Sequence, residues 1–467
     1  MPSEFSLIPF FAGRDALRSG PLRLNKIIQH AAAGSCFRSL CCILMIKASA
    51  TQCFTGALLR MLRHGGSQTC AVESADAPCA ARQERRGVLE LKFLIYNDVQ
   101  SIIMTGSKEI FMEKRRKLKI GVIGCGAISE RRHLPEYAVN PDVEITALYN
   151  RTRSKAEEMQ KRYGGVVCSS VEELVGMDLD AVSVCTANTM HAHDTILALR
   201  AGKHVLCEKP MDVTIEKCSA MVEEAKKSGK LLMIAQNQRF SAAHKKAHDL
   251  IAEGAIGKVL SFETKFGHAG PERWTGTEDT WFFRKNEAGM GALADLGIHK
   301  TDLVHYVIGE PITRVYAHTA TLDKRYPDGN LIDVEDNAWC IYRTDSDATG
   351  TMHVSWTDYG QEYNSIVVHG TRGSIRCYDD REYSLILETD DGRQNFLSTE
   401  DMITNNDQTV GTGKNYNSGV IDEFVECIRT GRPCRCTGED ALMAMRVIFA
   451  ALESSKSGRM ITIKENQ

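Results

Sequence analysis

The 467-residue sequence predicts two folded domains: an α/β domain with a parallel, doubly wound sheet, followed by an α+β domain with a large, mostly antiparallel, open-faced sheet. Three observations support this prediction. Short apolar runs alternate with helical patterns between residues 118 and 235, a glycine-rich turn follows the first run, and strands of alternating polarity dominate after residue 257. The predicted domains span 112–239 and 240–467, and the last helices are expected to pack back on the first domain.

The composition is that of an ordinary globular protein. Hydrophobic residues make up 43% of the chain, charged residues 25%, and the formal net charge is −3. This balance argues against nucleic-acid binding, which needs a strongly basic surface. The charge is uneven along the chain: residues 1–111 hold 13 Lys and Arg against 8 Asp and Glu, and the other 356 residues hold 44 against 52.

The first 111 residues lack the apolar periodicity of a folded domain. Their most hydrophobic stretch, Leu40 to Ile46, is much shorter than the roughly 20 residues that span a bilayer, so no membrane segment is predicted. Met112 stands directly before the first clear strand pattern and resembles the start of a cytoplasmic protein. We expect residues 1–111 to be a non-native or disordered amino-terminal extension without a role in the chemistry; a transit peptide is the alternative.

The 16 cysteines do not show the spacing of a disulfide framework or of a zinc site. Cys434 and Cys436 form a C-x-C pair, but neither a second pair nor a histidine lies near them in the sequence. We expect single buried thiols in a reducing cytoplasm, and the sequence predicts no metal site.

The first predicted strand ends in a glycine-rich turn. The segment Gly124–Ser129 matches the dinucleotide-binding pattern G-x-G-x-x-G/A, with serine at the third small position. Gly124 permits a tight turn, and Gly126 lets the backbone approach a pyrophosphate at the helix amino terminus. The pattern favours a Rossmann nucleotide site, with Ala127 and Ile128 among its cofactor contacts.

Asn150 and Arg151 follow the second predicted strand, Val143–Tyr149. An acid usually stands here and holds the ribose hydroxyls of NAD. Asparagine can bond to a ribose without repelling a 2′-phosphate, and Arg151 can attract one. The sequence therefore predicts NAD or NADP as the cofactor; an ordinary solvated arginine at a helix start is the alternative for Arg151.

Three more buried strands continue the α/β pattern. They are predicted at Asp180–Cys185, His204–Cys207 and Leu231–Ala235. Ligands of doubly wound sheets bind at the carboxyl ends of the strands. The segments at those ends are Thr186–Asn188, Glu208–Pro210 and Asn237–Arg239.

Alternating runs after Gly257 predict antiparallel strands. The runs span 259–266, 312–319, 337–342, 350–356 and 365–369. One long helix, Gly291–Val307, interrupts them. Two helices near Ser418–Arg429 and Glu439–Ser454 close the chain.

The helix Gly291–Val307 carries the clearest catalytic pattern. Asp295, His299 and Asp302 lie at positions i, i+4 and i+7, so they are predicted to project as one polar row. A carboxylate one turn from a histidine orients the imidazole and stabilises its protonated form, as a general base requires. An ordinary exposed helix face is the alternative.

Lys209 is the second candidate for catalysis. It follows a buried strand and precedes Pro210, which fixes the chain, so its amine is expected near the cleft. Partial desolvation and a nearby nicotinamide cation would lower its pKa and suit it to proton transfer or to binding an alkoxide. A surface lysine with a buried aliphatic stem is the alternative.

Together these segments resemble the glucose–fructose oxidoreductase / inositol 2-dehydrogenase (Gfo/Idh/MocA) family. The resemblance covers the chain from about Leu118 to its end and rests on four motifs in this order. They are Gly124–Ser129, Cys185–His191, Gly202–Met211 and Gly289–His299 followed by Asp302.

The resemblance implies a nicotinamide cofactor, NAD or NADP, and catalysis by Lys209, Asp295 and His299. It also implies a carboxyl-terminal sheet whose open face joins subunits into a homodimer or homotetramer. Further residues are implied to contact the cofactor. They are Thr186, Asn188, His191, Glu208, Lys209, Asn237 and, near the nicotinamide end, Arg284.

We interpret the chain as a cytoplasmic NAD(P)-dependent oxidoreductase that transfers hydride between the cofactor and a carbinol of a sugar, sugar derivative or polyol. His299 is expected to accept the hydroxyl proton, Asp295 to orient His299, and Lys209 to bond the reacting oxygen; the lysine and histidine roles are exchangeable.

Arg239, Trp274 and Asp302 are the predicted substrate contacts. Two other functions remain open. One is a hydrolase or isomerase of the same fold that retains NAD and oxidises its sugar transiently, and the other is a non-catalytic NAD(P)-binding regulatory protein.

Overall fold

The computed structural model describes residues 116–396 and 417–464, which belong to the unit Met112–Gln467. The predicted extension, residues 1–111, lies outside the described residues. Within the described ranges, none of the helices combines the length and the apolar character that a membrane crossing requires.

The described chain begins with a six-stranded parallel sheet in the order β3-β2-β1-β4-β5-β6. The strands are β1 (Leu118–Ile123), β2 (Val143–Tyr149), β3 (Val166–Val167), β4 (Ala181–Val184), β5 (His204–Cys207) and β6 (Leu232–Ile234). The order reverses between β1 and β4, which places a crevice for ligands at the carboxyl ends of these two strands. The predicted parallel, doubly wound sheet is confirmed.

Helices cover both faces of this sheet. They are α1 (Leu134–Val139), which follows a π-helical turn at Ser129–His133, then α2 (Arg153–Tyr163), α3 (Val171–Gly176), α4 (His191–Arg200) and α5 (Ile215–Ser228). Because side chains alternate along a strand, Val122 and Ile123 of β1 enter two different hydrophobic cores. α10 (Val420–Thr430), near the chain's end, adds Phe424 to the same core as Val122.

The second sheet has nine strands in the order β14-β13-β12-β11-β7-β10-β9-β8-β15. The strands are β7 (Val259–Gly267), β8 (Ile312–Ala320), β9 (Asn337–Thr344), β10 (Thr349–Ser355), β11 (Tyr363–Gly370), β12 (Gly373–Cys377), β13 (Leu385–Thr389), β14 (Gly392–Phe396) and β15 (Ile461–Thr462). Only β7 and β10 pair in parallel among the described strands of this sheet. The prediction of a mostly antiparallel sheet is confirmed.

One face of the second sheet is covered by helices and the other is open. The helices of this region are α6 (Ala242–Ala252), α7 (Pro271–Thr275), α8 (Lys285–Ala288), α9 (Ile298–Ile308) and α11 (Gly438–Ser457). α11 packs on both β8 and α5, so it bridges the two sheets. The open face carries the exposed side chains of Tyr316, Trp339 and Ile341.

The predicted helix Gly291–Val307 consists of two parts. A π-helical turn, Leu293–Gly297, runs directly into α9, which ends at Gly309 in the left-handed conformation. Every residue of the π-helical turn is buried, and the turn packs against β7, β9 and β10. The second sheet thus holds the start of this helix beside the crevice of the first sheet.

Candidate active site

A cavity of about 870 Å³ opens at the carboxyl ends of β1, β2, β4 and β5. Most of the predicted site residues line it. They are Gly124, Gly126, Ala127, Ile128, Asn150, Arg151, Thr186, Asn188, His191, Glu208, Lys209, Trp274, Arg284 and Asp295. A chamber of about 20 Å³ adjoins the cavity and is lined by Asn237 and His299. Lys209 lines both spaces.

The glycine turn leaves room for a ligand. Gly124 has φ +96°, and a Cβ atom there would lie 2.4 Å from the carbonyl oxygen of Cys185, so only glycine fits. Around Gly126 no atom lies within 4 Å of the Cβ position, although this residue lines the cavity. The protein itself does not require glycine there, whereas a pyrophosphate approaching the backbone does.

Asn150 fixes the glycine turn through its side chain. Its Oδ1 accepts a hydrogen bond from the backbone N–H of Cys125 at 2.9 Å, and its Nδ2 donates to the carbonyl of Thr152 at 2.9 Å. Arg151 is exposed at the cavity wall. Within the described ranges the Arg151 guanidinium makes no ion pair with the protein, so its charge is available to an anionic ligand.

Asn188 and His191 support the cavity wall by bonding to the backbone. Asn188 Nδ2 donates to the carbonyl of Ala288 at 3.0 Å. The His191 ring nitrogens lie 2.7 Å from the carbonyl oxygen of Pro210 and 3.0 Å from that of Thr186. His191 thereby ties the end of β4 to the segment that carries Lys209.

A buried histidine pairs with Glu208 behind the lysine. His133 Nε2 lies 2.9 Å from Glu208 Oε1, and its Nδ1 lies 3.2 Å from Ser183 Oγ. Burial alone would raise the pKa of Glu208, but the bond to His133 and nearby positive charge outweigh it, so the pKa lies below its usual value. Glu208 Oε2 accepts from the backbone N–H of Lys209 at 3.2 Å, which holds the lysine's main chain.

Lys209 and Asp295 form a nearly buried ion pair at the cavity wall. Lys209 Nζ donates to Asp295 Oδ1 at 2.8 Å and to the Asp295 carbonyl at 3.0 Å. Trp356 Nε1 donates to the other carboxylate oxygen at 3.2 Å. Since an ammonium has three N–H groups, one remains for a ligand.

The predicted pairing of Asp295 with His299 is wrong. The carboxylate of Asp295 bonds to Lys209 and Trp356, and the imidazole Nδ1 of His299 is buried without a partner in the described part of the chain. The i, i+4 prediction assumes an α-helix, whereas Asp295 lies in a π-helical turn with i→i+5 bonds. Burial, followed by the positive charges of Lys209 and Lys300, lowers the pKa of His299 well below its usual value, so the imidazole is neutral.

Arg239 and Asp302 bond to each other, which corrects their expected role as substrate contacts. Arg239 Nε and Nη2 donate to the two Asp302 carboxylate oxygens, both at 2.7 Å. Both side chains are buried, and neither lines the cavity or the chamber. The pair joins the segment after β6 to α9 and is structural. The predicted polar row thus does not form, because its three members face different partners.

An aromatic wall lines the cavity near Trp274. The ring centroids of Trp274 and Phe282 lie 5.0 Å apart, and those of Trp281 and Phe282 lie 4.0 Å apart. The three side chains contact the same cavity. Trp274 Nε1 is buried without a partner among the described residues.

Arg284 lies on the cavity wall within a charge cluster. Its guanidinium bonds to Asp279 at 2.5 Å and to Glu287 at 3.1 Å. Across residues 116–396 and 417–464, no group of three His, Cys, Asp or Glu side chains is arranged to hold a metal ion.

Sequence patterns do not identify Trp356 or His133 as site residues. Trp356 follows an alternating strand, where tryptophan usually predicts core packing, and its partner Asp295 is 61 residues away. His133 lies on the helical segment directly after the glycine turn. Its position there is the only sequence feature that could indicate a role in the site. Both contacts depend on tertiary packing.

Two family profiles match the chain. Residues 118–236 match the profile described as the oxidoreductase family with an NAD-binding Rossmann fold, and residues 244–376 match the GFO/IDH/MocA C-terminal domain. Together the two matches cover more than half of the chain.

Named relatives match over different lengths. The 1,5-anhydro-D-fructose reductase of Ensifer adhaerens is 36% identical over 214 residues, which are 45% of this chain and 61% of that protein. The match thus spans less than two thirds of this relative. The myo-inositol 2-dehydrogenase of Thermotoga maritima is 27% identical over 357 residues, 74% of this chain and 99% of that protein.

Solved structures of similar fold include two sugar oxidoreductases. The aldose-aldose oxidoreductase from Caulobacter crescentus, complexed with glycerol, is 28% identical with a TM-score of 0.63 and covers 74% of this chain and 100% of its own. Levoglucosan dehydrogenase in complex with NADH is 26% identical with a TM-score of 0.66 and covers 75% of this chain and 100% of its own. The resemblance carried by the four motifs is confirmed, and the chain belongs to the Gfo/Idh/MocA family of oxidoreductases with an NAD-binding Rossmann fold.

Proposed function

We propose that the protein is an NAD(P)-dependent dehydrogenase that oxidises one carbinol of a cyclic sugar, sugar derivative or polyol. The observation that carries this proposal is the Lys209–Asp295 ion pair on the wall of the cavity that begins at the glycine turn. The nucleotide-binding turn and a pair of groups able to bind or transfer a proton therefore line the same cavity.

The residues of the cavity fit a nicotinamide dinucleotide. The open space over Gly126 and the backbone of Ala127 and Ile128 suit a pyrophosphate, and Arg151 suits the ribose or its 2′-phosphate. Glu208 and Lys209 would border the reactive end. When bound, the nicotinamide accepts hydride from an alcohol carbon or returns it to a carbonyl.

The protein's own groups bind the reacting oxygen and take up its proton. Lys209, held by two bonds to Asp295, directs its third N–H to the substrate oxygen and stabilises negative charge that develops there. His299 lines the chamber that Lys209 also lines and is the proposed acceptor of the substrate's proton. Such acid–base catalysis contributes typically about 10²–10⁴-fold.

A cyclic substrate suits the aromatic wall. Trp274, Trp281 and Phe282 offer flat apolar surfaces to the C–H face of a ring. Three relatives, 1,5-anhydro-D-fructose reductase, myo-inositol 2-dehydrogenase and levoglucosan dehydrogenase, are named for ring compounds.

A substrate panel tests the proposal. The full-length protein is incubated with myo-inositol, levoglucosan, 1,5-anhydroglucitol and glucosides, with NAD and NADP separately, and the absorbance of reduced nicotinamide is followed. We expect reduced cofactor to accumulate with at least one ring polyol. Conversion of a substrate without such accumulation would instead favour a hydrolase or isomerase with retained NAD, and tight cofactor binding without any conversion would favour a regulatory protein.

We further infer that the protein works in the cytoplasm as a homodimer or homotetramer joined through the open face of the second sheet. Ten cysteines of the described ranges are free thiols, which suits a reducing compartment. The open face presents Tyr316, Trp339 and Ile341, each about two-fifths exposed, and large apolar side chains of this kind are commonly covered in assemblies. No nucleic-acid or membrane partner is proposed.

A further inference from the structure

The segment before β9 meets the first turn of the catalytic helix, Leu293–Ile308. Glu335 Oε1 accepts from the backbone N–H groups of Gly291 at 2.8 Å and Leu293 at 3.1 Å, and the Glu335 carbonyl accepts from that of Ala292 at 2.9 Å. A Cβ atom on Gly291 would lie 1.9 Å from the Glu335 carbonyl oxygen. The two segments therefore approach so closely that only glycine fits between them.

Two chains of contacts lead from this segment to Asp295. In the first, Gly291 donates its N–H to Glu335, and its carbonyl accepts a hydrogen bond from the backbone N–H of Asp295 at 3.0 Å. In the second, the carbonyl of Asp336 accepts from the backbone N–H of Trp356 at 2.8 Å, and Trp356 Nε1 bonds to Asp295 Oδ2. Adjacent residues thus fix both the main chain and the carboxylate of Asp295.

The carboxylate of Glu335 replaces a cap that the helix lacks. Ala292, the residue before the π-helical turn, has no polar side chain that could cap it. A negative charge at a helix amino terminus is favourable, so the Glu335 carboxylate suits this place. Burial, against the lowering effect of the bonds from the helix N–H groups and with the like charge of Asp336, raises the pKa of Glu335 to about 7. Asp295, on the capped turn, points to Lys209 and Trp356.

We propose that Glu335 is a positioning residue for the reaction, whose carboxylate holds the start of the catalytic helix so that Asp295 stays bonded to Lys209. The inference deepens the proposed function, because it assumes that the Lys209–Asp295 pair acts on the substrate. Glu335 itself lines neither the cavity nor the chamber.

Two substitutions separate positioning from folding. Glu335→Gln keeps an oxygen that accepts the two N–H bonds but removes the charge, whereas Glu335→Ala removes the acceptor. We expect Glu335→Ala to lower kcat by about 10- to 100-fold with the cofactor KM nearly unchanged, since small displacements of catalytic groups cost this much. We expect Glu335→Gln, which keeps the acceptor oxygen, to retain most of the wild-type kcat.

Asp333→Asn is the matched control, because it removes an exposed carboxylate from the same segment. A second readout is independent of turnover: labelling of the Lys209 amine by ethyl acetimidate, measured by peptide mass spectrometry. Loss of the ion pair in Glu335→Ala should increase this labelling several-fold, with wild-type levels in Glu335→Gln and Asp333→Asn.

The two readouts distinguish failure of the inference from failure of the proposed function. Unchanged Lys209 labelling in Glu335→Ala, or a kcat within twofold of wild type at every pH, would overturn the positioning role. A wild type that converts no member of the panel, combined with the expected labelling pattern, would instead overturn the proposed function and leave the positioning of Lys209 intact.

Discussion

At the scale of single residues, most polar atoms of the Lys209–Asp295 pair already have hydrogen-bond partners within the protein. Lys209 donates two of its three N–H groups to Asp295, and Trp356 occupies the second carboxylate oxygen. Breaking a buried ion pair by removing one partner leaves an uncompensated charge, at a cost of about 3–5 kcal/mol in proteins. The arrangement therefore leaves one N–H of Lys209 for the cavity or the chamber that this residue lines.

The residues around Lys209 also show the limits of sequence patterns. The motifs identify Lys209, Asp295 and His299 as site residues. They predict that Asp295 bonds to His299, whereas in the structure Asp295 bonds to Lys209 and Trp356. Sequence spacing predicts which residues are neighbours on a regular α-helix. It does not predict the π-helical turn at Asp295, nor the contact with Trp356, which lies directly after β10.

Arg151 should determine the use of NADP. Its guanidinium lies at the cavity wall beside Asn150, whose side chain is already bound to the glycine turn. We expect Arg151→Ala to raise the KM for NADP by about tenfold, the size of one lost charge-assisted bond, and to change the KM for NAD by less than twofold. Steady-state kinetics with both cofactors measure this.

Arg153→Ala is the control for Arg151, because Arg153 is exposed on the same helix start and pairs with Glu157. Equal changes in the KM values for NAD and NADP in Arg151→Ala would contradict a phosphate-binding role.

At the scale of elements, the buried strands are the most predictable part. The predicted strand His204–Cys207 agrees with β5 at both ends, because a short run of three buried apolar residues between polar segments has few alternatives. β3, β12, β13, β14 and β15 are not among the predicted strands: β14 is largely exposed and polar, and β3 and β15 have only two residues each. The parallel pairing of β7 with β10 also escapes prediction, since it joins strands about 90 residues apart.

The catalytic helix carries a lysine whose charge opposes folding. Lys300 is fully buried, with its Nζ 3.5 Å from the carbonyl oxygen of Ser365, and burial lowers its pKa to about 7. A base with a lowered pKa in the folded state binds fewer protons than in the unfolded state between about pH 7 and 10.5, so stability rises with pH across this window.

Lys300→Met should therefore raise the melting temperature by a few degrees at pH 7 and by less at pH 10. Differential scanning calorimetry at the two pH values measures the change, and Lys227→Met, at an exposed position on α5, is the control. A lower melting temperature for Lys300→Met at pH 7 would show that the amine stabilises the fold.

At the scale of the whole molecule, the two sheets contribute different parts of the site. The first sheet supplies the cofactor loops, while the second holds Asp295 through Trp356, the residue directly after β10, and leaves one face open. On that face Trp339 stacks on His353 with ring centroids 4.9 Å apart and on His318 at 6.1 Å. A flat aromatic surface of this kind suits a second copy of the chain.

Trp339→Glu should convert the proposed oligomer to a smaller species, because a buried unpaired charge at an interface is costly. Size-exclusion chromatography with light scattering measures the mass. Val139→Glu, on the exposed side of α1, should leave the mass unchanged. An unchanged mass in Trp339→Glu would contradict assembly through this face.

The most direct test of the central claim is the turnover of Lys209→Ala on a substrate found with the wild type. We expect kcat/KM to fall by at least about 100-fold, as loss of a group that binds the reacting oxygen predicts, with cofactor affinity nearly unchanged. Lys227→Ala should remain at the wild-type level. Near-wild-type turnover in both Lys209→Ala and His299→Ala would contradict the assignment of the catalytic site.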